Sequence, residues 1–379
     1  MGSHPKYFEV LKQRLSEKNL LIQVILGPRQ IGKTTFMTDF VSQSPSKYLF
    51  VSGDGVQDSF WIEHQWAQAE EQGKILVIDE VQKIPNWSES IKKCWDAQKF
   101  RKNKIKCVLL GSSSLTLQKG LSESLTGRFE LIRAFHWDFQ SSSQLIKKIS
   151  IDDYLIYGGY PGSYSLRKDS HRWEEFLRSS IVETVIGKDI LMQARVKSPA
   201  LFRQCFYVLM NLPAQVLSYN KILGQLQDRG NIDLVKYYIE LFEGAYLLKA
   251  LQKYSKNEIG KRQSSPKIIS MAPALNTFHR MDNLTSEYMG RVFESLVGAQ
   301  LLRHKENIFY WSEGDYEVDF VLELQGKLIA IEVKSGKKRK SSSLEVFTKK
   351  YPAAKVIFIT KENYPTFEKD PLGFLSKKL

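Results

Sequence analysis

The stretch Gly27-Pro28-Arg29-Gln30-Ile31-Gly32-Lys33-Thr34-Thr35 decides how the N-terminal part of the chain is read. It follows the apolar run Leu20-Leu21-Ile22-Gln23-Val24-Ile25-Leu26 and precedes a helix-compatible segment. That is the strand, glycine-rich loop and helix context a phosphate cradle requires. Gly27, Gly32, Lys33 and Thr34 satisfy G-x-x-x-x-G-K-[ST] without a mismatch. The glycines let backbone N–H groups close around phosphate oxygens, and the following helix offers its positive end to the same anion. Lys33 is placed to reach β and γ phosphates, and the Thr34 hydroxyl to join the shell of a Mg²⁺ ion. Pro28, Arg29, Gln30, Ile31 and Thr35 complete the loop and are read with it as nucleotide-binding positions, so ATP and Mg²⁺ are the expected cofactors.

A P-loop needs a distant carboxylate, and Lys74-Ile75-Leu76-Val77-Ile78-Asp79-Glu80 supplies one. A continuous apolar run is expected of a strand buried on both faces, and ligands of open α/β sheets sit at the carboxyl ends of the strands. Asp79 is therefore expected beside Thr34, on the metal, with Glu80 suited to polarise the water that attacks the γ-phosphate. Ile105 to Leu110 reads as a further strand ending in Gly111-Ser112-Ser113-Ser114. A hydroxyl there, Ser112 first, either bonds the attacking water or serves ordinary turn chemistry. Arg128, before the strand expected over Phe129 to Phe135, has two readings as well. One is an arginine finger for its own or a neighbouring subunit, and the other a structural salt bridge.

The 379 residues carry a formal net charge of +14 and 42% hydrophobic residues. This length suggests two or three domains, and the excess of lysine and arginine favours a polyanionic partner, although solubility alone explains part of it. No apolar run approaches membrane-spanning length, and Met1-Gly2-Ser3-His4 lacks a signal-peptide hydrophobic region. Cys94, Cys107 and Cys205 make neither a metal spacing nor an even disulfide set, which suits a reducing cytoplasm. The expectation is a cytoplasmic protein with no membrane contact.

Taken together, GPRQIGKTT, ILVIDEVQKIPNW, LLGSSS, LTGRFE and Tyr157-Gly158-Gly159-Tyr160-Pro161-Gly162 resemble the bacterial and archaeal AAA-type ATPases that carry a C-terminal domain long catalogued as of unknown function. The resemblance covers most of the chain. It implies an α/β architecture: an AAA-type P-loop NTPase core with a parallel sheet (1–140), a helical lid (141–197), a winged helix-turn-helix (198–282) and an α/β restriction-endonuclease-like module (283–379). It also implies roles for Lys33, Thr34, Asp79, Glu80, a serine within 112–114 and Arg128. In the third segment Ser218 is read as the cap of a helix over Tyr219 to Gln227. Asp228 to Asn231 is the turn, and Asp233 the cap of a helix over Leu234 to Leu247. Lys236, Glu240 and Glu243 give that second helix an acidic bias unsuited to a major groove. Lys249, Lys253, Lys256, Lys261 and Arg262 are left for phosphates. A purely structural winged helix is the other reading.

Near the C-terminus, Glu317 to Leu324 and Lys327 to Lys334 flank Gln325-Gly326, the spacing of a two-residue hairpin. If that turn sets the register, Asp319 faces Glu332 and Glu317 faces Lys334 on one side. Val318, Phe320, Leu322, Leu324, Ile329, Ile331 and Val333 then share the other side. Opposed carboxylates want a cation between them. A Mg²⁺ or Mn²⁺ bound by Asp319, Glu332 and the Val333 carbonyl, with Lys334 orienting the attacking water, would satisfy them. D followed by E-x-K resembles the PD-(D/E)XK nuclease core, and the resemblance makes Glu294 the first-helix acid. No proline precedes Asp319. The chain is thus expected to be a Mg²⁺-dependent ATPase coupled to a nuclease-like domain acting on nucleic acid, DNA favoured, with a homo-oligomer as a second partner class. The rival reading is an ATP-regulated switch or scaffold whose nuclease fold only binds.

Overall fold

Five short apolar runs form the strands of the N-terminal sheet: β1 (Ile22–Gly27), β2 (Tyr48–Ser52), β3 (Ile75–Asp79), β4 (Cys107–Ser112) and β5 (Phe129–Arg133). The computed structural model describes residues 6–58, 60–101, 103–112, 115–226, 231–255, 264–336 and 342–379. Ser113, Ser114, Gln227 to Gly230, Lys256, Lys261 and Arg262, all singled out above, lie outside the described residues. The sheet order is β2-β3-β4-β1-β5 and every pairing is parallel. Parallel strands require crossovers, and helices Lys33–Ser42, Trp61–Gln72 and Trp87–Ala97 supply three of them. The apolar sides of Trp61–Gln72 and Trp87–Ala97 close the core with Ile62, Trp66, Trp87 and Ile91 against Val24, Leu76, Ile78 and Leu109. Gly27 is required for closeness rather than for φ, since a Cβ there would lie 2.4 Å from the Ala134 carbonyl oxygen.

The described chain packs as two units. One comprises residues 1–136 with 183–195, and the other residues 137–182 with 196–379. The chain therefore leaves the N-terminal unit, re-enters it through 183–195, and leaves again.

In the second unit, helices Pro199–Met210, Tyr219–Leu223 and Ile232–Gly244 precede a two-stranded antiparallel ladder of β6 (Leu248–Leu251) and β7 (Lys267–Ser270). Ser218 caps its helix through the Lys221 amide as expected. The next helix is capped by Asn231, which accepts from the Leu234 amide, and not by Asp233. A second sheet, ordered β11-β10-β9-β8, contains β8 (Phe309–Glu313), β9 (Tyr316–Leu324), β10 (Lys327–Lys334) and β11 (Lys355–Thr360). Helix Ser286–Leu302 packs with Phe320, Leu322, Ile329, Ile331 and Val333. Helix Ser342–Lys350 packs with Trp311, Val321 and Ala330.

The hairpin register is the expected one: Lys327 pairs Leu324 and Ile331 pairs Phe320, across Gln325 and Gly326 at φ 51° and 73°. Two positive φ values are what a two-residue hairpin turn with the right twist demands. One element differs from expectation. Phe309 pairs Val321 whereas Trp311 pairs Val318, so β9 spends three residues where β8 spends two. This bulge reverses the alternation, and Val318 joins the core of Trp311 and Val321 instead of that of Phe320.

The end of the chain is tied to residues 138–140. The buried Glu368 carboxylate accepts from the amides of Phe139 and Gln140 at 2.9 and 2.8 Å and from the Tyr364 hydroxyl at 2.9 Å. Burial pushes its pKa up to about 7, against the lowering effect of those amides. A carboxyl whose folded pKa is raised binds its proton more tightly when folded, so its contribution is full below about 4.5 and declines as pH climbs through 7. Melting temperatures measured from pH 4.5 to 7.5 should fall more steeply with pH for wild type than for Glu368→Gln. Parallel curves would remove Glu368 as the titrating group.

Candidate functional site

β4 lies between β1 and β3, so the carboxyl ends of these strands bring the P-loop, Ser112 and the Asp79-Glu80 pair to one edge. The loop turns through left-handed backbone at Gln30 (φ 62°) and Gly32 (φ 86°) before helix Lys33–Ser42 begins. Lys33 is buried, and its ammonium donates to the carbonyls of Gly27 at 2.9 Å and Pro28 at 2.6 Å. Burial pushes its pKa down to about 8, opposed by the charges of Glu80 and Asp79. Thr34 Oγ1 donates to Asp79 Oδ2 at 2.7 Å, although the two residues are 45 apart in sequence. The buried Asp79 carboxyl is raised above the usual carboxylate range by burial, the Thr34 hydrogen bond opposing and Glu80 adding. A hydroxyl and a carboxylate, both hard oxygen donors, suit Mg²⁺, which when bound supplies charge neutralisation for phosphate oxygens.

Glu80 adopts φ 50°, ψ 37°, a left-handed conformation costing roughly 1–2 kcal/mol for a residue with a Cβ. Its Oε2 accepts from Gln82 Nε2 at 2.8 Å, and the same nitrogen donates to Ser112 Oγ at 3.2 Å. Ser112 is thereby connected to the Glu80 carboxylate through Gln82, a residue the sequence reading missed. Gly111 makes this possible, because a Cβ there would meet Gln82 Oε1 at 2.6 Å. Arg29 Nε donates to the buried Asp189 Oδ2 at 2.6 Å. Asp189, also missed, is the one acid in the run Val185-Ile186-Gly187-Lys188-Asp189-Ile190-Leu191, where only Lys188 beside it is charged as well, and that was its available signal. Pro28 and Ile31 are buried, whereas Gln30, Thr34 and Thr35 are exposed at the loop.

Of the two readings of Arg128, the geometry takes the second. Its Nε and Nη2 fork onto Asp96 at 3.2 and 2.9 Å, and its carbonyl accepts from the Ile22 amide at 2.9 Å. It precedes β5, whose Phe129 pairs with Ile22 at the start of β1, while the P-loop follows the end of β1. Arg128 thus sits at the amino edge of the sheet and cannot serve its own chain's phosphate site. The salt-bridge reading is the one its geometry supports.

The C-terminal acids also gather differently from expectation. Glu294, Glu317 and Asp319 each present an oxygen within 4.8 Å of the others. The ammonium of fully buried Lys267 stands among them, 2.5 Å from Glu294, 2.7 Å from Glu317 and 3.8 Å from Asp319. Burial alone would lower the lysine's pKa, but the attraction of Glu294, Asp319 and Glu317 outweighs it and raises the value above that of an ordinary lysine. Burial and the charge of Asp319 raise Glu294 to about 8, Lys267 opposing. Three carboxylates gather around one ammonium, and burial with the charge of Asp319 favours the protonated form of Glu294.

Glu332 is outside this set. Its Oε1 accepts from Lys334 Nζ at 2.6 Å, and its β11 neighbour is Phe358. Because Ile331 and Val333 pack with the Glu294 helix, alternation turns Glu332 to the opposite face. Asp319 Oδ2 meanwhile accepts from the Val333 amide at 2.7 Å. The expected metal pair of Asp319 and Glu332, with Lys334 free for water, is therefore not what the chain builds. The β9 bulge moved Asp319 toward Glu294, and an internal ammonium fills the space an ion would take. Lys249, expected on phosphates, is held by Glu243 at 2.7 Å. Lys267 showed little in sequence beyond a charge opening the apolar strand Lys267-Ile268-Ile269.

Residues 19–142 match a family described as AAA domain. Residues 148–286 and 289–373 match two families, each described as a domain of unknown function, DUF8612 and DUF4143. No curated protein matches the chain. Similar solved structures include the Thermotoga maritima RuvB Holliday junction branch migration motor, 15% identical over 64% of this chain and 87% of that one, with a TM-score of 0.33. Two variants of that protein, each 14% identical over the same shares, give TM-scores of 0.34 and 0.35. Such low scores carry no argument. Among the described residues no helix is long and apolar enough to cross a membrane. The family match and the P-loop together identify residues 19–142 as an AAA-type ATPase domain, which implies use of ATP and Mg²⁺.

Proposed function

We propose that the protein hydrolyses ATP with Mg²⁺ and uses the nucleotide state to control a C-terminal module that binds nucleic acid without cutting it. The observation that carries the first half is the meeting of Thr34 and Asp79 at 2.7 Å beside buried Lys33, with Glu80 next in the chain and connected to Ser112 through Gln82. Lys33 binds phosphate oxygens, Thr34 and Asp79 are the residues that would hold the metal, and Glu80 orients water. These are the positioning and electrostatic functions phosphoryl transfer needs.

The second half departs from the nuclease reading because of Lys267. Three helices followed by the β6–β7 ladder are consistent with a winged helix. The four-stranded sheet between two helices is consistent with a restriction-endonuclease-like fold. A lysine whose ammonium already satisfies Glu294, Glu317 and Asp319 leaves that fold without a metal's chemistry. The net charge of +14 favours a polyanion, DNA in first place, and counterion release would make that binding steeply salt-dependent. The four segments 1–140, 141–197, 198–282 and 283–379 remain our domain proposal, and oligomer formation is proposed on family resemblance alone.

Two outcomes are expected. Phosphate release should fall on the order of 100-fold or more in Glu80→Gln while ATP binding persists, and Lys33→Ala should lose binding itself. Equal turnover by wild type and Glu80→Gln would remove Glu80 from its role. Lys267→Met should expose an uncompensated acidic cluster, lowering stability by about 3–5 kcal/mol. In nucleotide-free protein Mn²⁺ should then raise the melting temperature of the variant but not of wild type. Mn²⁺-dependent strand cleavage by wild type, lost in Asp319→Ala, would restore the nuclease reading.

A further inference from the structure

We propose that Arg29, gripped by Asp189, is the arginine that meets the γ-phosphate from within the same chain. The proposal rests on the ATPase reading and names a residue of that site beyond the motif's phosphate cradle. Arg29 belongs to the P-loop itself, and its only hydrogen bond among the described residues runs from Nε to Asp189 Oδ2 at 2.6 Å. Holding a guanidinium by Nε fixes its plane and leaves both terminal nitrogens for a second, forked partner. Phosphate oxygens fit that geometry.

Asp189 is 2% exposed, and its Oδ1 is buried with no hydrogen-bond partner. A buried carboxylate that uses one oxygen is costly unless it positions something, and the only group it holds among the described residues is Arg29. The location also fits. Arg29 follows the carboxyl end of β1 by two residues and Glu80 follows the carboxyl end of β3 by one, so the parallel sheet brings both to the same edge. Arg128, the sequence candidate for this task, is at the other edge of the sheet.

During hydrolysis the water oxygen bonds to the γ-phosphorus as the bond to the β,γ-bridging oxygen breaks. The bridging oxygen keeps the electron pair and leaves on ADP, and the water proton, accepted through Glu80, passes to the released phosphate or solvent. Arg29 transfers no proton. It stabilises charge spread over the γ-phosphoryl oxygens, and Asp189 is a positioning residue that acts through it.

The test compares wild type, Arg29→Ala, Arg29→Lys, Asp189→Asn and the Arg29→Ala/Asp189→Asn double variant. Turnover is measured together with equilibrium binding of ADP alone and of ADP with aluminium fluoride, a mimic of the transferring phosphoryl group. Melting curves identify any variant that fails to fold, and Arg29→Lys keeps the charge where Arg29→Ala does not. Arg29→Ala should lower kcat on the order of 100-fold or more, keep ADP affinity within a few-fold, and lose the preference for ADP with aluminium fluoride. Arg29→Lys should recover only part of that preference, because an ammonium cannot fork. Asp189→Asn should lower kcat on the order of 10-fold alone and add nothing in the Arg29→Ala background. Undiminished turnover and undiminished fluoride preference in Arg29→Ala would overturn the proposal while leaving the ATPase reading intact. Equal losses from Asp189→Asn in both backgrounds would overturn the positioning role. A wild type that binds but never hydrolyses ATP would overturn both readings.

Discussion

The ATPase unit depends on one constraint: between the end of β1 at Gly27 and the helix that starts at Lys33, the chain must reverse while keeping its amides available to an anion. Left-handed backbone at Gln30 and Gly32 makes the reversal, and the absence of a Cβ at Gly27 lets the strand end pass the Ala134 carbonyl. Once the loop is fixed, parallel strand order does the rest. β4 and β3 run alongside β1, so their carboxyl ends deliver Ser112 and Asp79 to the same edge without any of these residues being near in sequence. Glu80 bears the local cost of this convergence, in a backbone conformation that side chains disfavour.

Buried cations show the same physics at both ends of the molecule. Lys33 is satisfied by two carbonyls and by the nearby acids, and burial lowers its pKa, as suits a group meant to exchange those carbonyls for phosphate. Lys267 is surrounded by three carboxylates, and their attraction raises its pKa, as suits a group meant to stay. One ammonium is held by neutral carbonyls and the other by opposite charges. Sequence similarity to a metal nuclease says nothing of this difference, because it turns on which charge fills the space between the acids.

What was legible in the sequence was what is contiguous or periodic. The P-loop is nine adjacent residues, Asp79 and Glu80 end an apolar run, and Gln325-Gly326 set the hairpin register through a turn whose φ values only certain residues favour. What was not legible depends on partners far apart. Arg29 and Asp189 are 160 residues distant, and Lys267 meets Glu317 across 50. The β9 bulge left no mark in the hydrophobic pattern, yet it separated Asp319 from Glu332 and moved Val318 to another core. The choice between the two readings of Arg128 turned on strand order. A residue preceding a parallel strand must lie at the amino edge of the sheet, and ligands bind at the other.

The path of the chain gives the Asp189 contact a wider meaning. Residues 137–182 pack in the C-terminal unit, 183–195 return to the ATPase unit, and 196 onward leave again, so the returning segment is covalently continuous with the second unit at both its ends. Asp189 lies in the middle of that segment and holds a P-loop arginine. If Arg29 meets phosphate as proposed, its contact with Asp189 is where 183–195 would respond. No other grip on the P-loop arginine is found among the described residues. The first crossing is anchored on its far side, where Glu368 caps residues 139 and 140 through two amides and so ties the exit from the ATPase to the last helices of the chain. On the function proposed above, nucleotide would be felt at the Arg29–Asp189 contact and not at the amides held by Glu368, one contact that would respond to ligand and a second that would not.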